Sequence, residues 1–394
     1  MKNPRLHTAH ATAAYAVLQG STWGFFAVVL VFSSNVLHDF GFSDSHVSLL
    51  LGIATGASCL MQLLVAELIS RRPRLQISHM LLVLGGVILI SMLCLLIPEV
   101  SSGLAVAAFA VACMAHQMIP SLANALGMDT IRRGAPTRFS ISRGFGSVFF
   151  SLLSLLTGIL VREFGIEAVY LLSAGLAVLL MVAVLWYEKA VSADLHTVVS
   201  ESISEKKGGF LKQYPRFAVF LLGAILLCLS HNLMSTFLYQ IMVWKHGGAA
   251  EQGIASAISA LVELPPMFLF PLMMKKVRCD KWIRFAAVCM ALKPLMILFS
   301  VNPEGVYLAQ VTQMVGFGLY TIGSMNYAEM VVGKGESVRA QSYLGSTVTI
   351  GSLLALSSGG VICDLFGTQA MAVVSLISAL LGGAVIVLFA QKTE

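Results

Sequence analysis

The stretch TRFSISRGFGSVFFSLLSLLTGILVREFG (137–165) has a counterpart about 200 residues later, VRAQSYLGSTVTIGSLLALSSGGVICDLFG (338–367). In each copy a basic residue, Arg138 or Arg339, precedes a long apolar run that closes on a Phe-Gly pair. About 20 apolar residues are enough for a helix to cross the hydrocarbon core of a bilayer. The pair therefore predicts two membrane-spanning helices in equivalent positions of a duplicated chain.

Two further pairs of segments repeat at nearly the same displacement. NALGMD (124–129) corresponds to NYAEMV (326–331), and AELISRRPR (66–74) corresponds to FPLMMKKVR (270–278). Agreement of three pairs on nearly one displacement is not expected by chance. The repeat predicts three parts of the chain: an N-terminal six-helix bundle at 1–190, a cytoplasmic linker at 191–213 and a C-terminal six-helix bundle at 214–394.

The composition is that of an integral membrane protein. Hydrophobic residues make up 57% of the chain and charged residues only 11%, whereas a soluble domain carries about 25% charged residues. We therefore predict an all-α integral membrane protein with twelve transmembrane helices. The apolar runs of sufficient length fall at roughly 12–36, 45–69, 76–97, 102–125, 141–161, 166–187, 214–243, 252–274, 283–301, 305–330, 340–362 and 367–390.

The basic residues are distributed unevenly between the two sides of these spans. Of the 25 lysines and arginines, all but four fall on the N-terminus, the even-numbered loops and the C-terminus. Arg162 and Lys245 lie on the opposite side, and Arg143 and Lys293 lie within or at the edge of spans. Because basic loops stay cytoplasmic, we expect both termini in the cytoplasm and a multi-pass protein of the bacterial inner or plasma membrane. The net charge of +6 then comes from basic residues that surround the cytoplasmic ends of the spans, which we call the collar charges. No nucleic-acid partner is predicted.

Polar and ionisable side chains inside spans are costly, so they are candidates for function. Glu263 lies about halfway along the eighth span and Lys293 about ten residues into the ninth. Lys293 has two interpretations: a buried partner of Glu263, or a side chain that extends its ammonium group to the cytoplasmic interface. Arg143 has two interpretations: a collar charge neutralised by lipid headgroups, or a cation that lines a cavity and binds substrate. The other candidate substrate-binding residues are Gln62, Trp23, Asn124, His231, Tyr239, Gln313 and Asn326.

The repeated twelve-helix architecture resembles the major facilitator superfamily. Within it, RGFGSVFFSLLSLLTGIL, VELPPMFLFPL and ALKPLMILFS look like the fifth, eighth and ninth helices of the lactose permease group, which includes the oligosaccharide–proton symporters and phenylpropionate permeases. The resemblance implies that Arg143 binds substrate, that Glu263 binds substrate or proton, and that Lys293 belongs to the proton-coupling network. It also implies a cavity-facing position for Gln62.

The sequence departs from that group in two helices. Ala125, flanked by Asn124 and Asp129, stands where the group has a fourth-helix glutamate that pairs with the substrate arginine. Gln313 and Gly316 stand where the group has the tenth-helix histidine and glutamate of proton coupling. The glutamine and the ELP of helix eight also resemble the sugar efflux transporters. Uptake and efflux therefore both stay open, as does the identity of the proton-coupling residue.

The motifs of other functional classes do not occur in the sequence. It has no GxxxxGK[ST] motif for nucleotide binding and no nucleophile–base pair or HExxH cluster. We therefore expect no enzyme activity, and we expect transport to be driven by an ion gradient. The seven cysteines are scattered singly and predict no metal site. No cofactor is expected beyond the proton gradient, and the predicted partners are a small-molecule substrate, protons and the lipid bilayer.

We predict a proton-coupled symporter of a small hydrophilic organic solute, with a sugar, oligosaccharide or glycoside favoured, acting by alternating access as a monomer. The same-class alternatives are a proton-driven efflux transporter of sugars or drugs, and an aromatic-acid or nucleoside permease. The alternative from a different class is a sensor or scaffold built on the transporter fold.

Overall fold

The computed structural model describes residues 4–71, 76–97, 101–192, 210–332 and 336–393, and within these ranges the chain is helical without strands. Most of the predicted linker 191–213 lies outside the described residues. The chain forms two compact units: Met1–Phe42 with Leu50–Ser202, and Ser43–Leu49 with Ile203–Glu394.

The first unit contains the helices at the first six predicted spans. Helix 1 is interrupted by a π-helical turn, whereas the other five are continuous between their ends. In chain order they are helix 1 (Pro4–Phe25, the π-turn Phe26–Leu30 and Ser33–Asp39), helix 2 (Asp44–Arg71, whose first turns cluster with the second unit), helix 3 (Ile77–Leu95), helix 4 (Ser102–Arg132), helix 5 (Phe139–Phe164) and helix 6 (Glu167–Val191).

The second unit contains the helices at the last six predicted spans, and most of them are broken. After a short helix at Phe210–Gln213 they are helix 7 (Pro215–Thr236 and Leu238–Trp244), helix 8 (Ala249–Val262 and Leu264–Met274), helix 9 (Cys279–Cys289 and Leu292–Phe299), helix 10 (Pro303–Val311, the 3₁₀ turn Thr312–Met314 and Phe317–Val331), and helices 11 and 12 within Ser337–Phe389. The last stretch is divided at Gly367, whose φ of 84° is a conformation that favours glycine.

Nine helical stretches of the described residues are long and apolar enough to cross a membrane. One of the nine, Arg339–Phe389, holds the eleventh and twelfth predicted spans. Helix 2 and the broken helix 10 lie at the second and tenth predicted spans. Each of the twelve predicted spans thus corresponds to a helical segment.

Aromatic side chains fill the core of each unit. Tyr15, Phe25 and Tyr187 are fully buried in the first unit, and Phe220 and Tyr327 are fully buried in the second. Burial of one such side chain stabilises a packed structure by about 1.5–3 kcal/mol in water. In a bilayer, close packing and interhelical hydrogen bonds contribute more to the stability of helix association than burial does. We therefore expect the interhelical hydrogen bonds described below to stabilise the fold.

Candidate functional site

A hydrogen-bonded cluster in the first unit is centred on Gln19 of helix 1. The Gln19 Nε2 group donates to the Tyr15 hydroxyl at 2.8 Å and to Asn124 Oδ1 of helix 4 at 3.0 Å. Trp23 Nε1 in turn donates to Gln19 Oε1 at 3.2 Å. Tyr15, Gln19 and Trp23 are spaced four residues apart and therefore share one face of helix 1. This cluster, the Gln19 network, joins helix 1 to helix 4.

Arg143 of helix 5 lies on the Trp23 side of this network. Its guanidinium carbon is 4.0 Å from the centroid of the Trp23 ring, a cation–π arrangement. Ser142, the preceding residue, donates a hydrogen bond to the Thr12 carbonyl at 3.0 Å, which holds helix 5 against helix 1. Arg143 therefore contacts a second predicted site residue, Trp23.

Gly146 allows Trp23 to approach helix 5. A Cβ atom at position 146 would lie 2.5 Å from Trp23 Cδ1, closer than side-chain carbons approach each other. The glycine one turn after Arg143 is therefore needed for the stacking of that arginine on Trp23.

An open cleft of about 820 Å³ runs between helices 1 and 5 in the same unit. Thr12, Arg138, Ile141, Phe145 and Phe149 are among its lining residues. Polar groups and aromatic rings therefore face a space large enough for a small organic solute.

The second unit brings together three of the predicted residues in a hydrogen-bonded chain. Lys293 Nζ donates to Gln313 Oε1 at 2.6 Å, and Gln313 Nε2 donates to Glu263 Oε1 at 2.5 Å. Lys293 is only 7% exposed and Gln313 only 4% exposed, so water solvates neither side chain effectively. Glu263 and Lys293 are thus linked through the Gln313 amide. We call this arrangement the Glu263–Gln313–Lys293 chain.

Helices 8, 9 and 10 each have an irregular turn next to the Glu263–Gln313–Lys293 chain. Glu263 separates the two parts of helix 8 and is followed by Pro265 and Pro266, which lack backbone N–H groups. Helix 9 is interrupted just before Lys293, and helix 10 is interrupted around Gln313. Broken helices inside a membrane leave backbone groups that need a polar environment, so these breaks are typical of sites that line cavities.

A small cavity of about 20 Å³ adjoins the chain, and it is lined by His231, Lys293, Gln313, Gly316 and Phe317, among others. The His231 imidazole stacks on the Phe317 ring with centroids 3.5 Å apart and planes 5° apart. The volume is that of one or two water molecules. His231 therefore lies next to the Glu263–Gln313–Lys293 chain.

The remaining predicted residues have other neighbours. Gln62 donates to the Gln117 carbonyl at 3.4 Å and accepts from Ser121 Oγ at 3.3 Å, which joins helix 2 to helix 4. Asn326 donates to the Ile322 carbonyl of its own helix at 2.8 Å. Tyr239 lies on the short helix Leu238–Trp244, beyond the break at Phe237 in helix 7.

Sequence reasoning missed Tyr15 and Gln19. Both are fully buried side chains of helix 1, and Gln19 makes three of the hydrogen bonds in the network. Their signal in the sequence is the spacing Tyr15, Gln19, Trp23, a polar and aromatic stripe with helical period in an otherwise apolar span.

The sequence matches the family model of the Major Facilitator Superfamily over residues 14–305 and again over 220–394. The two matches together extend over nearly the whole chain. No curated protein matches the sequence.

Solved structures of several transporters are similar to this chain. A mutant of the nucleoside transporter NupG is 13% identical, with a TM-score of 0.75 over 99% of this chain and 100% of that chain. A bacterial homologue of the iron transporter ferroportin, in an inward-facing state, is 13% identical, with a TM-score of 0.74 over 99% and 100%. A mutant of the peptide transporter POT in complex with sulfate is 10% identical, with a TM-score of 0.71 over 100% of both chains. At these identities the likeness shows the fold alone.

Proposed function

The chain belongs to the Major Facilitator Superfamily, and we propose that it is a proton-coupled symporter of a small hydrophilic organic solute. It is a multi-pass membrane protein of the major facilitator fold with twelve helices, and a transporter rather than an enzyme. Within the proposal, a sugar, oligosaccharide or glycoside is the favoured solute. The monomer acts by alternating access in the bacterial inner or plasma membrane, with both termini cytoplasmic.

The observation that carries the proposal is the Glu263–Gln313–Lys293 chain. It links a carboxylate of helix 8 to an ammonium of helix 9 through an amide of helix 10 that donates to the first and accepts from the second. Charges within membrane-spanning helices are expensive and mark proton or substrate pathways.

A proton on Glu263 would change this chain in a defined way. The hydrogen bond from Gln313 to an ionised carboxylate is charge-assisted, and such bonds are roughly twice as strong as bonds between neutral groups. Protonation would weaken the bond and leave the Lys293 ammonium without its opposite charge. The two protonation states of Glu263 would thus favour different arrangements of helices 8, 9 and 10, which is the differential stabilisation that coupling requires.

Substrate binding is assigned to Arg143, Trp23 and Asn124 in the first unit. They lie in or next to the Gln19 network and offer donors and an aromatic ring, the groups that bind a polar solute in a mostly apolar pocket. Gln62, His231, Tyr239 and Asn326 remain further candidates for substrate contacts.

An aromatic acid or a nucleoside is the second candidate substrate. The cleft between helices 1 and 5 is lined by Phe145 and Phe149 together with Thr12 and Arg138. Aromatic rings beside a cation suit a planar ring that carries a polar or acidic group.

The proposal is tested by reconstituting the purified protein in liposomes that contain a pH-sensitive dye. Sugars, aromatic acids and nucleosides are added singly outside, without an imposed pH gradient. We expect at least one class to acidify the interior as solute and proton enter together. If a solute enters the liposomes with no solute-dependent proton movement, the symport assignment is wrong. Outward proton movement as the solute enters would favour proton-driven efflux.

A further inference from the structure

We propose that the small cavity beside Lys293 binds one water molecule between the Lys293 ammonium and the His231 imidazole, and that His231 is thereby a positioning residue of the Glu263–Gln313–Lys293 chain. The water site stands on the geometry of the second unit alone. Its part in coupling rests on the proposed function, and it gives His231, a candidate for substrate contact, a more specific role.

The Lys293 ammonium has more hydrogen-bond donors than its protein neighbours accept. An ammonium carries three N–H donors, and among the residues that the structure describes only Gln313 Oε1 accepts one of them, at 2.6 Å. Lys293 is only 7% exposed. Because a buried donor without an acceptor is costly, we expect a further acceptor beside the other two N–H groups.

The cavity lies where such an acceptor is needed. Lys293 is one of its lining residues, together with His231 of helix 7 and Thr312 of helix 10. Its volume of about 20 Å³ exceeds the roughly 10–15 Å³ that one water molecule requires and is far too small for an organic solute. The ammonium in its wall repels a cation, and the Glu263 carboxylate already supplies the opposite charge that an anion would bring. Water is therefore the ligand that fits.

The His231 ring offers an acceptor to this water. Its Nε2 atom lies 3.5 Å from Ser235 Oγ, whereas no polar atom of the described residues bonds its Nδ1 atom. Repulsion between neighbouring cations favours the neutral imidazole beside Lys293, and in a neutral imidazole one ring nitrogen donates and the other accepts. With the Nε2–H group directed at Ser235, Nδ1 is the acceptor.

A water molecule in the cavity then has three partners. It accepts from Lys293 Nζ and donates to His231 Nδ1 and to Thr312 Oγ1. The Thr312 hydroxyl uses its own proton on the Ala309 carbonyl at 2.7 Å, so its oxygen is left to accept. About three hydrogen bonds are usual for a buried water. The His231 ring is fixed by its stacking on Phe317, with centroids 3.5 Å apart, and it therefore holds the water in place.

The bound water orients the rest of the chain of hydrogen bonds. Because the Lys293 ammonium is held beside Gln313 Oε1, the amide of Gln313 presents its Nε2 group to Glu263. An amide turned the other way would place its oxygen against a carboxylate, which accepts only. His231 thus acts on Glu263 through the water, Lys293 and Gln313.

The direct test is an experimental structure of the purified wild type at a resolution that shows ordered water. We expect one water within about 2.7–3.2 Å of both Lys293 Nζ and His231 Nδ1. The inference is overturned if the cavity shows no density, if it holds an anion, or if the water bonds to Lys293 but not to His231.

A double-mutant cycle in detergent tests the same link thermodynamically and needs no transport. His231→Phe keeps a ring that stacks on Phe317 but removes both nitrogens, and Lys293→Met keeps an unbranched side chain but removes the ammonium. If the water joins the two residues, the double variant loses less melting temperature than the two single variants together. His231→Asn, whose Oδ1 replaces Nδ1 as an acceptor, should recover most of the melting temperature that His231→Phe loses.

His246→Asn is the control for the cycle. His246 is an exposed histidine just beyond helix 7, and asparagine tolerates its positive φ of 64°, so its effect should simply add to that of Lys293→Met. If His231 serves only by stacking on Phe317, the changes of His231→Phe and Lys293→Met are additive as well, and that result overturns the inference.

The positioning role is read from the number of protons that move with each solute in liposomes. His231→Phe should lower this ratio and His231→Asn should restore it, whereas an unchanged ratio in His231→Phe overturns the positioning role. If the water and the non-additive melting temperatures are found but the wild type shows no solute-dependent proton movement, only the symport assignment is wrong.

Discussion

At the scale of single residues, Arg143 shows how a membrane protein stabilises a cation whose transfer towards hydrocarbon is unfavourable. An arginine near hydrocarbon needs a partner, and Trp23 supplies an aromatic face at 4.0 Å. Its counterpart in the repeat, Leu344, is a buried apolar residue. The arginine is therefore not required by the architecture that the two halves share, which supports a role in function.

We predict that Arg143→Ala lowers substrate affinity by at least about tenfold, since a hydrogen bond from a charged donor contributes about 1.5–3 kcal/mol. Expression and melting temperature should stay close to those of the wild type. The measurement is equilibrium binding of a transported solute to the purified variant.

Arg162→Ala is the control for this substitution, because Arg162 is exposed and pairs with its neighbour Glu163 at 2.8 Å. An Arg143→Ala variant that binds as tightly as this control would show that Arg143 is only a collar charge.

The candidate residues were predictable from the sequence where a charge stands alone in an apolar run, as Arg143, Glu263 and Lys293 do. The link through Gln313 was not predictable, because it depends on how helices 8, 9 and 10 bring three side chains into hydrogen-bond distance. Gln19 was missed for a related reason: an amide carries no charge, so its burial is not conspicuous until its three partners are seen.

At the scale of elements, the irregular turns of helices 8, 9 and 10 and the close approach of helix 1 at Gly146 of helix 5 decide which side chains meet. The prolines after Glu263 and the proline after Lys293 are visible in the sequence and lie beside the irregular turns of helices 8 and 9. The break in helix 10 has no proline; Gly316 and the 3₁₀ turn Thr312–Met314 mark it. Single-sequence patterns locate proline breaks better than breaks imposed by packing.

We predict that Gly146→Ala lowers transport by about tenfold or more, because the added methyl group would lie 2.5 Å from Trp23 Cδ1 and would displace the ring beneath Arg143. Initial uptake rates in liposomes measure the effect. Gly175→Ala is the matched control in helix 6, where no atom lies within 4 Å of the added carbon. Equal losses of uptake rate in both variants would show that the close approach of Trp23 to Gly146 is not needed for transport.

The end of the chain is attached to the start of helix 9 through Asp280. This fully buried carboxylate accepts from Arg278 Nε at 2.9 Å and Nη2 at 3.0 Å, and from Thr393 Oγ1 at 3.1 Å. The hydrogen bonds to Asp280 raise the pKa of the Arg278 guanidinium above its usual value. Arg284 donates to the Ala390 carbonyl at 2.5 Å, which adds a second attachment.

We predict that Asp280→Ala lowers the free energy of unfolding by about 1–3 kcal/mol, because the buried Thr393 hydroxyl loses its charged acceptor. Thermal unfolding in detergent measures it. Glu304→Ala is the control, since Glu304 also lies in the first turn of a helix but is exposed, and it should change stability by about 0.5 kcal/mol. A loss no larger than that of the control would mean that the attachment of the C-terminal residues is not stabilising.

At the scale of the whole molecule, the sequence was most informative. Hydropathy, the uneven distribution of basic residues and the internal repeat together predicted twelve helices in a duplicated chain, and the family match and the similar structures confirm that fold. These signals are sums over many residues, so errors at single positions average out. Function rests on a few side chains that differ between the halves, and for that reason the substrate could not be predicted in the same way.

The most direct test of the central claim compares the wild type with Glu263→Gln in liposomes in two assays: counterflow of a transported solute in preloaded liposomes, and the pH of a weakly buffered medium during net uptake of the same solute into solute-free liposomes. The variant keeps the shape of the side chain but holds no titratable proton. We predict that the wild type makes the medium more alkaline as solute enters, whereas Glu263→Gln exchanges solute without any pH change. A pH change in the variant as large as in the wild type would contradict the assignment of proton coupling to the Glu263–Gln313–Lys293 chain.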